Sequence, residues 1–181
     1  SVFALAHYLL NTDSVFRQVD NRRSYYDKAL SAYTFGLKKR GVTQTVSVKS
    51  PYIYAEDNWT DDMELAAVSI HTMLNNNKGS VENGFYLAQA VNYAKQEKLT
   101  PWLGADTAKH YQWYPFINIG HFELAIQLKK QKNLPTREAG YEKEFVYNFP
   151  KNTDSVIGYY KEGIRLVWNK ASRNAFFRGI P

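Results

Sequence analysis

Acidic side chains surround a tryptophan in the segment AEDNWTDDMELAA, residues 55–67, of a chain whose net charge is +6. Three kinds of chemistry would explain them. Carboxylates in the first turn of a helix offset the positive end of its dipole, each by about 0.3–1 kcal/mol. Carboxylates on a loop can bind Ca²⁺ through their oxygens. Two carboxyl groups about 5–10 Å apart can hydrolyse a glycosidic bond. The segment therefore indicates a helix start, a metal site or part of a catalytic pair.

A helix start accounts for only part of this segment. Thr60 suits the N-cap, and Asp61 and Asp62 then fall in the first turn. Glu64 lies one turn further on, where we expect a solvated side chain. Adjacent Asp61 and Asp62 point in different directions from one backbone, so they make a poor catalytic pair. Capping leaves Glu56, Asp57 and Trp59 unexplained. The spacing of the acids does not match an EF-hand calcium loop. The metal and substrate alternatives therefore remain open.

A second candidate site is the aromatic segment TPWLGADTAKHYQWYPFINIGH, residues 100–121. Its rings are Trp102, Tyr111, Trp113, Tyr114 and Phe116, and its interleaved polar side chains are Asp106, His110, Asn118 and His121. Carbohydrate sites need flat apolar faces for the sugar rings and a few polar groups that orient them. The alternative is that these rings pack beneath the loop, and the residues alone favour neither interpretation.

Composition and motifs exclude several classes of function. The chain has no cysteine, so it has neither a disulfide framework nor thiolate chemistry. Its four histidines form no HExxH or HxH pair, which argues against a zinc site. No GxSxG or Walker-type glycine loop occurs. Lysine and arginine are scattered, so nucleic acid is not an expected partner. No run of about 18 apolar residues occurs, so we predict no membrane span.

Helices must position these segments, because apolar residues recur at helical spacing along the chain. We predict helices before Gly41, from about Thr60, over 81–98, around 120–131 and from about Thr153 to Ser172. The residues expected to face inward include Met63, Ala67 and Ile70, then Phe85 and Val91, then Phe122, Ala125 and Ile126, and finally Val156, Tyr160, Ile164 and Val167. VTQTVSV, residues 42–48, alternates but fits an extended loop better than a strand. The prediction is an all-α fold in which short and long connections alternate, as in a toroid of helical hairpins with its functional loops at one end.

The two candidate segments resemble the family 9 glycoside hydrolases, the inverting cellulase family. SPYIYAEDNWTDDMELAAVSIHTM is similar to the family segment where an aromatic loop enters an inner barrel helix. GADTAKHYQWYPFINIGHFELA is similar to the next such segment, and YYKEGIRLVWNKASRNAFFRGIP resembles a later helix and turn. The resemblance covers nearly the whole chain and is most specific over residues 54–67 and 104–125.

The resemblance implies part of an (α/α)6 barrel, also called a six-hairpin toroid. Residues 1–181 would be the central portion of a single catalytic domain, with roughly half of its helices, and its partner would be the remainder of that domain. The implied parent protein is a secreted or periplasmic hydrolase that cleaves β-1,4-linked glucan, such as cellulose or cello-oligosaccharides, with inversion. The sequence contains neither the family's aspartate motif nor its general-acid glutamate element. No residue is therefore assigned as catalytic, and we expect the chain alone to be inactive.

The family's cleft and metal positions fall on both segments. The residues implied to bind substrate are Tyr54, Trp59, Trp102, Asp106, His110, Tyr111 and Trp113. The resemblance makes Asp61 and Asp62 candidate ligands of a structural Ca²⁺, while the chemistry itself requires no cofactor. Two alternatives remain. One is a glucosaminidase-type member of the same family, and the other is a non-catalytic helical domain that binds carbohydrate or protein.

Overall fold

The computed structural model describes residues 1–12, 22–41, 59–74, 81–97, 119–130, 143–173 and 175. In this part of the chain there are helices and no strand, which confirms the all-α prediction there. The helices are α1 (Val2–Thr12), α2 (Arg22–Lys38), α3 (Thr60–Leu74), α4 (Val81–Gln96), α5 (Ile119–Lys130) and α6 (Lys143–Arg173). The segment VTQTVSV and most of the aromatic segment lie outside the described residues.

Helix α3 lies at the centre of the packing. It contacts α1, α2, α4 and α5, and it packs most extensively against α4. Its apolar side chains recur at intervals of three and four residues, so they form one stripe along the helix. The stripe of Met63, Ala67, Ile70, Met73 and Leu74 is buried, as the spacing predicts. A helix with neighbours on several sides has little solvated surface, and α3 therefore also buries polar side chains.

Helix α2 ends where the sequence predicts. Ala29 and Tyr33 join the buried core, and Tyr26, Leu30 and Leu37 pack partly buried against it. Lys38 places a cation in the last turn, where it complements the negative end of the helix dipole. Gly41 then adopts a φ of 130°, a conformation that residues with a side chain rarely reach. Gly41 therefore separates α2 from the segment that leads to α3.

Two phenylalanines face solvent where the sequence analysis expects them to face inward. Phe85 of α4 is 47% exposed and Phe122 of α5 is 40% exposed. The buried faces of these helices are centred on Leu87 and Leu124, which are both fully buried. Each phenylalanine precedes its leucine by two residues, which is about 200° of rotation around the helix. The prediction is wrong because apolar character alone does not identify which of two apolar faces is buried.

Helix α6 begins earlier than the apolar spacing predicts. The structure starts it at Lys143 rather than near Thr153, and the helix continues through Pro150. A proline has no backbone N–H and usually marks a helix boundary, which is why a sequence pattern begins this helix later. Within α6, Val156 is fully buried, but Ile164 is 50% exposed instead of facing inward. The predicted inward stripe of α6 is therefore only partly buried.

Candidate functional site at the beginning of α3

The beginnings of α3 and α5 and the end of α4 meet in one region, which we call the junction end. The Thr60 hydroxyl at the start of α3 donates a hydrogen bond of 2.9 Å to Oε2 of Glu97, which directly follows α4. A hydrogen bond of 2.8 Å joins Oε1 of Glu64 to Nδ1 of His121, in the first turn of α5. Glu97 and Ile119, which flank residues 98–118 in the sequence, therefore both lie at the junction end.

The start of α3 differs from the predicted cap by one residue. The Met63 backbone N–H donates to the Trp59 carbonyl at 3.2 Å, which is the first hydrogen bond of the helix. Trp59 therefore occupies the N-cap position and Thr60 the first helical position, so the prediction of Thr60 as N-cap is wrong. The hydroxyl of Thr60 instead reaches across to Glu97. The threonine joins two helices at a position where the sequence analysis expects it to cap only its own.

Asp61 and Asp62 lie in the first turn of α3, as the sequence predicts. The Asp62 backbone N–H donates to Oδ1 of Asp61 at 2.9 Å. That N–H has no partner within the helix itself, because the first N–H groups of every helix lack a preceding turn. Both carboxylates also offset the positive end of the helix dipole. The helix-start interpretation therefore accounts for these two acids.

A Ca²⁺ site at Asp61 and Asp62 would need further ligands. Ca²⁺ takes about six to eight oxygen ligands, and two carboxylates supply fewer than that. Within the described ranges no group of three or more acidic, histidine or cysteine side chains lies close enough together to hold a metal ion. Glu56 and Asp57, the other acids of the segment, lie outside those ranges. Any additional ligands would have to come from residues such as these.

Glu64 is buried, contrary to the expectation that it is solvated. Its side chain is 1% exposed, and its carboxyl oxygens lie 2.7 and 2.8 Å from Nδ1 of His121, which is itself 4% exposed. The sequence contains a signal for this burial. Glu64 precedes Ala67, Val68 and His71 by three, four and seven residues, so it lies on the buried stripe of α3. The pair is not evident from the sequence, in which His121 belongs to the aromatic segment.

Gly120 makes the close approach of α3 and α5 possible. A Cβ atom at this position would lie 3.2 Å from the carboxyl carbon of Glu64 and 3.4 Å from Oε2. These distances are shorter than ordinary van der Waals contacts, so a larger residue would press against the carboxyl group. Glycine therefore leaves the space in which Glu64 reaches His121.

A second buried carboxyl group lies near the first. Glu97 is 7% exposed and accepts the hydrogen bond from Thr60. Burial raises the pKa of Glu64 above its ordinary value, the hydrogen bond and charge of His121 lower it in part, and the Glu97 carboxylate raises it further. Because burial is the largest of these effects, the interior favours the protonated form of Glu64. Two carboxyl groups shielded from solvent suit a structural role more than direct contact with substrate.

Trp59 is the one described member of the predicted substrate-binding set. It is half-buried, and its ring meets Tyr93 of α4 edge-on, with centroids 6.1 Å apart. The exposed Arg40, just after α2, places its guanidinium carbon 5.9 Å from the centre of the Trp59 ring. A cation over an aromatic face contributes about 0.5–1 kcal/mol at such sites. Trp59 thus joins the end of α2 to the junction end.

A cluster of tyrosines lies beneath Trp59. Tyr33 of α2 and Tyr93 of α4 are 3% and 2% exposed. Tyr33 meets Tyr86 edge-on, with centroids 5.3 Å apart. Burial, followed by the neighbouring Tyr93, raises the pKa of the Tyr33 hydroxyl far above its ordinary value. These rings therefore form a neutral aromatic support for Trp59.

The structure places only some of the predicted site residues. Six of the substrate-binding candidates lie outside the described ranges, namely Tyr54, Trp102, Asp106, His110, Tyr111 and Trp113. Trp59, Asp61 and Asp62 lie together in the first turn of α3 or next to it. Sequence reasoning did not identify Glu97, which has no motif around it. Its role depends on α3 and α4 packing side by side, and local spacing does not show that.

Two further observations bear on the identity of the chain. Among the helices that the structure describes, none combines the length and apolar character needed to cross a membrane. Comparison with models of protein families, with curated proteins and with solved structures found no match.

Proposed function

We propose that this chain is the substrate-binding portion of an inverting β-1,4-glucan hydrolase with an (α/α)6 barrel. The proposal starts from the likeness of residues 54–67 and 104–125 to the family 9 glycoside hydrolases. One observation supports it best. Glu64 belongs to the first of these segments and His121 to the second, and the two side chains form a buried pair. The described parts of the two stretches that carry the likeness are therefore packed against each other.

The positions of the connections also support a binding role. The connection 42–58 ends next to Trp59, and the connection 98–118 runs from Glu97 to Ile119. All three of these residues belong to the junction end. In a toroid of helical hairpins, the loops at one end carry the function. The candidates in these two connections would therefore act together on one ligand.

In this proposal the aromatic candidates stack on glucose rings, and Asp106 and His110 orient the sugar hydroxyl groups. An inverting mechanism needs two carboxyl groups on opposite sides of the scissile bond. Glu64 and Glu97 are buried in helix packing, so we assign neither to that pair. The catalytic carboxyl groups would come from the remainder of a secreted or periplasmic enzyme.

Replacement of Trp113 tests the proposal. Loss of an aromatic stacking partner should weaken cellohexaose binding about three- to tenfold, measured by isothermal titration calorimetry. Trp168→Ala is the matched control, because Trp168 is a 60% exposed tryptophan of α6 outside the candidate set. Equal affinity in Trp113→Ala and the unsubstituted chain would contradict the proposal.

The same titration, together with an assay of glucan hydrolysis, separates the alternatives. A glucosaminidase-type protein should bind oligosaccharides of glucosamine more tightly than cellohexaose. A non-catalytic binding domain should bind sugar, while the complete polypeptide that contains this chain would release no reducing ends from β-1,4-glucan. An inverting hydrolase should release them with the α-anomer formed first, which proton NMR detects.

A structural Ca²⁺ at Asp61 and Asp62 is a separate part of the proposal. Bound Ca²⁺ would stabilise the start of α3 by holding together carboxylates that otherwise repel one another. Calcium should then raise the melting temperature, and Asp61→Ala combined with Asp62→Ala should abolish that increase. If calcium leaves the melting temperature of the unsubstituted protein unchanged, the helix-start role is the complete account of these acids.

A further inference from the structure

We propose that Glu64 and Glu97 are positioning residues, which hold the two flanks of the connection 98–118 against the first turns of α3. Glu97 directly precedes this connection, and His121 lies just after it. Each flank is hydrogen-bonded to α3, through Thr60 in one case and Glu64 in the other. The proposal rests on the glucan-binding function for its choice of ligand.

The two hydrogen bonds act from one side of α3. Thr60 and Glu64 are four residues apart, so they lie one turn above each other on the same helix face. One of them binds the end of α4 and the other the beginning of α5. The separation between those two helix ends is therefore set by a single rigid turn of α3. That separation is the span which the connection must bridge.

Burying carboxyl groups costs more free energy than burying apolar side chains if the only purpose is to hold two helices together. A buried charge must be paired or hydrogen-bonded, and apolar residues of similar size often stabilise a core equally well. A hydrogen bond adds direction, because it weakens steeply when its angle or length changes. Glu64 therefore fixes the register of α5 against α3 more narrowly than an apolar contact would. The absence of a side chain at Gly120 also helps to fix this register, because it lets the carboxyl group approach the backbone of α5.

His121 also contacts α6. The ring of Tyr159 in α6 lies 6.0 Å from the His121 ring, at an interplanar angle of 43°. The imidazole is thus enclosed between α3 and α6, and it is 4% exposed. Loss of the Glu64 carboxyl group would leave the Nδ1 side of a buried ring without this partner.

The test compares Glu64→Ala with Glu64→Gln, and Glu97→Ala with Glu97→Gln, in the 181-residue chain. Glutamine keeps the shape and a hydrogen-bonding oxygen, whereas alanine removes both. Leu128→Ala is the control, since Leu128 is a buried residue in the last turns of α5, away from the junction end. Two quantities are measured: hydrogen exchange of the backbone amides of residues 119–123, and the dissociation constant for cellohexaose.

We expect Glu64→Ala to accelerate exchange at residues 119–123 about tenfold or more, since loss of a buried hydrogen bond lowers the free energy of local opening. Cellohexaose should bind about tenfold more weakly to both alanine variants, and both glutamine variants should recover most of the affinity. Leu128→Ala should lower the melting temperature without an equal loss of affinity.

Two results would overturn the proposal. One is unchanged exchange at residues 119–123 in Glu64→Ala. The other is an affinity loss in Leu128→Ala as large as in the alanine variants of the two glutamates, which would mean that general destabilisation explains the effect. If the unsubstituted chain binds no cellohexaose, the glucan-binding function fails. The exchange measurement then decides the positioning role by itself.

Discussion

Glu64 is enclosed by α3, α5 and Glu97, and its protonation state depends on that enclosure. The residue lies in DDMELAA, where several carboxylates in succession suggest a solvated helix start. Asp61 and Asp62 follow that prediction, whereas Glu64 lies on the apolar stripe and is buried. Helical spacing could have revealed the burial. The partner could not be found in this way, because His121 approaches only after α5 packs beside α3.

The raised pKa of Glu64 makes a signed prediction about stability and pH. Because burial raises the pKa in the folded state, the stabilising contribution is complete below the ordinary carboxyl pKa. It is lost as the pH rises through the folded-state pKa. Glu64→Gln resembles the protonated form and cannot lose a proton. The free energy of unfolding of the unsubstituted protein, relative to Glu64→Gln, should therefore fall as the pH rises through the acidic range.

Urea unfolding at a series of pH values measures this difference. A difference that grows in favour of the unsubstituted protein with rising pH would mean that the ion pair with His121 outweighs burial. Glu162→Gln serves as the control, because Arg165 lowers the pKa of the exposed Glu162. Its pH dependence should have the opposite sign and a small size, since exposed ion pairs contribute little.

At the scale of the helices, the sequence predicts where helices occur more reliably than which of their faces are buried. Gly41 marks the stop after α2, and Asp61 and Asp62 mark the first turn of α3, because helix ends have local chemical requirements. The inward face of α4 and α5 depends on which neighbours are present, and the exposed Phe85 and Phe122 follow from that. Pro150 interrupts the helical sequence pattern, so the spacing alone does not predict the first part of α6.

Substitution of Gly120 tests the packing of α5 on α3, and substitution of Gly158 in α6 is its control. Gly120→Ala should destabilise the protein by about 1–3 kcal/mol, because its Cβ would press on the Glu64 carboxyl group in a filled interior. Gly158→Ala in α6 should instead stabilise by about 0.5–1 kcal/mol, since nothing lies within 4 Å of the added methyl group and alanine favours the helix. Urea unfolding of both variants gives the two free energies. A stabilising effect of both substitutions would show that Glu64 does not fill the space beside Gly120.

For the whole molecule, the packing around α3 leaves apolar surface at the outer helices. Helix α1 has no charged residue, and Val2, Leu5 and Leu9 are exposed on one of its faces. The three positions are spaced by three and four residues, so they form a continuous stripe. Exposed apolar stripes promote association with other surfaces. The stripe on α1 therefore predicts that the isolated chain associates at high concentration.

Substitutions on the exposed face and on the buried face of α1 test the orientation of this helix. Leu5→Gln combined with Leu9→Gln should change the free energy of unfolding by less than about 0.5 kcal/mol per site, because both side chains are exposed. The same double variant should reduce association, measured by light scattering. Leu10→Gln should cost about 2–4 kcal/mol, since Leu10 is 5% exposed and the amide would be buried. An equal loss of stability in both variants would mean that the Leu5 and Leu9 face of α1 is covered in solution.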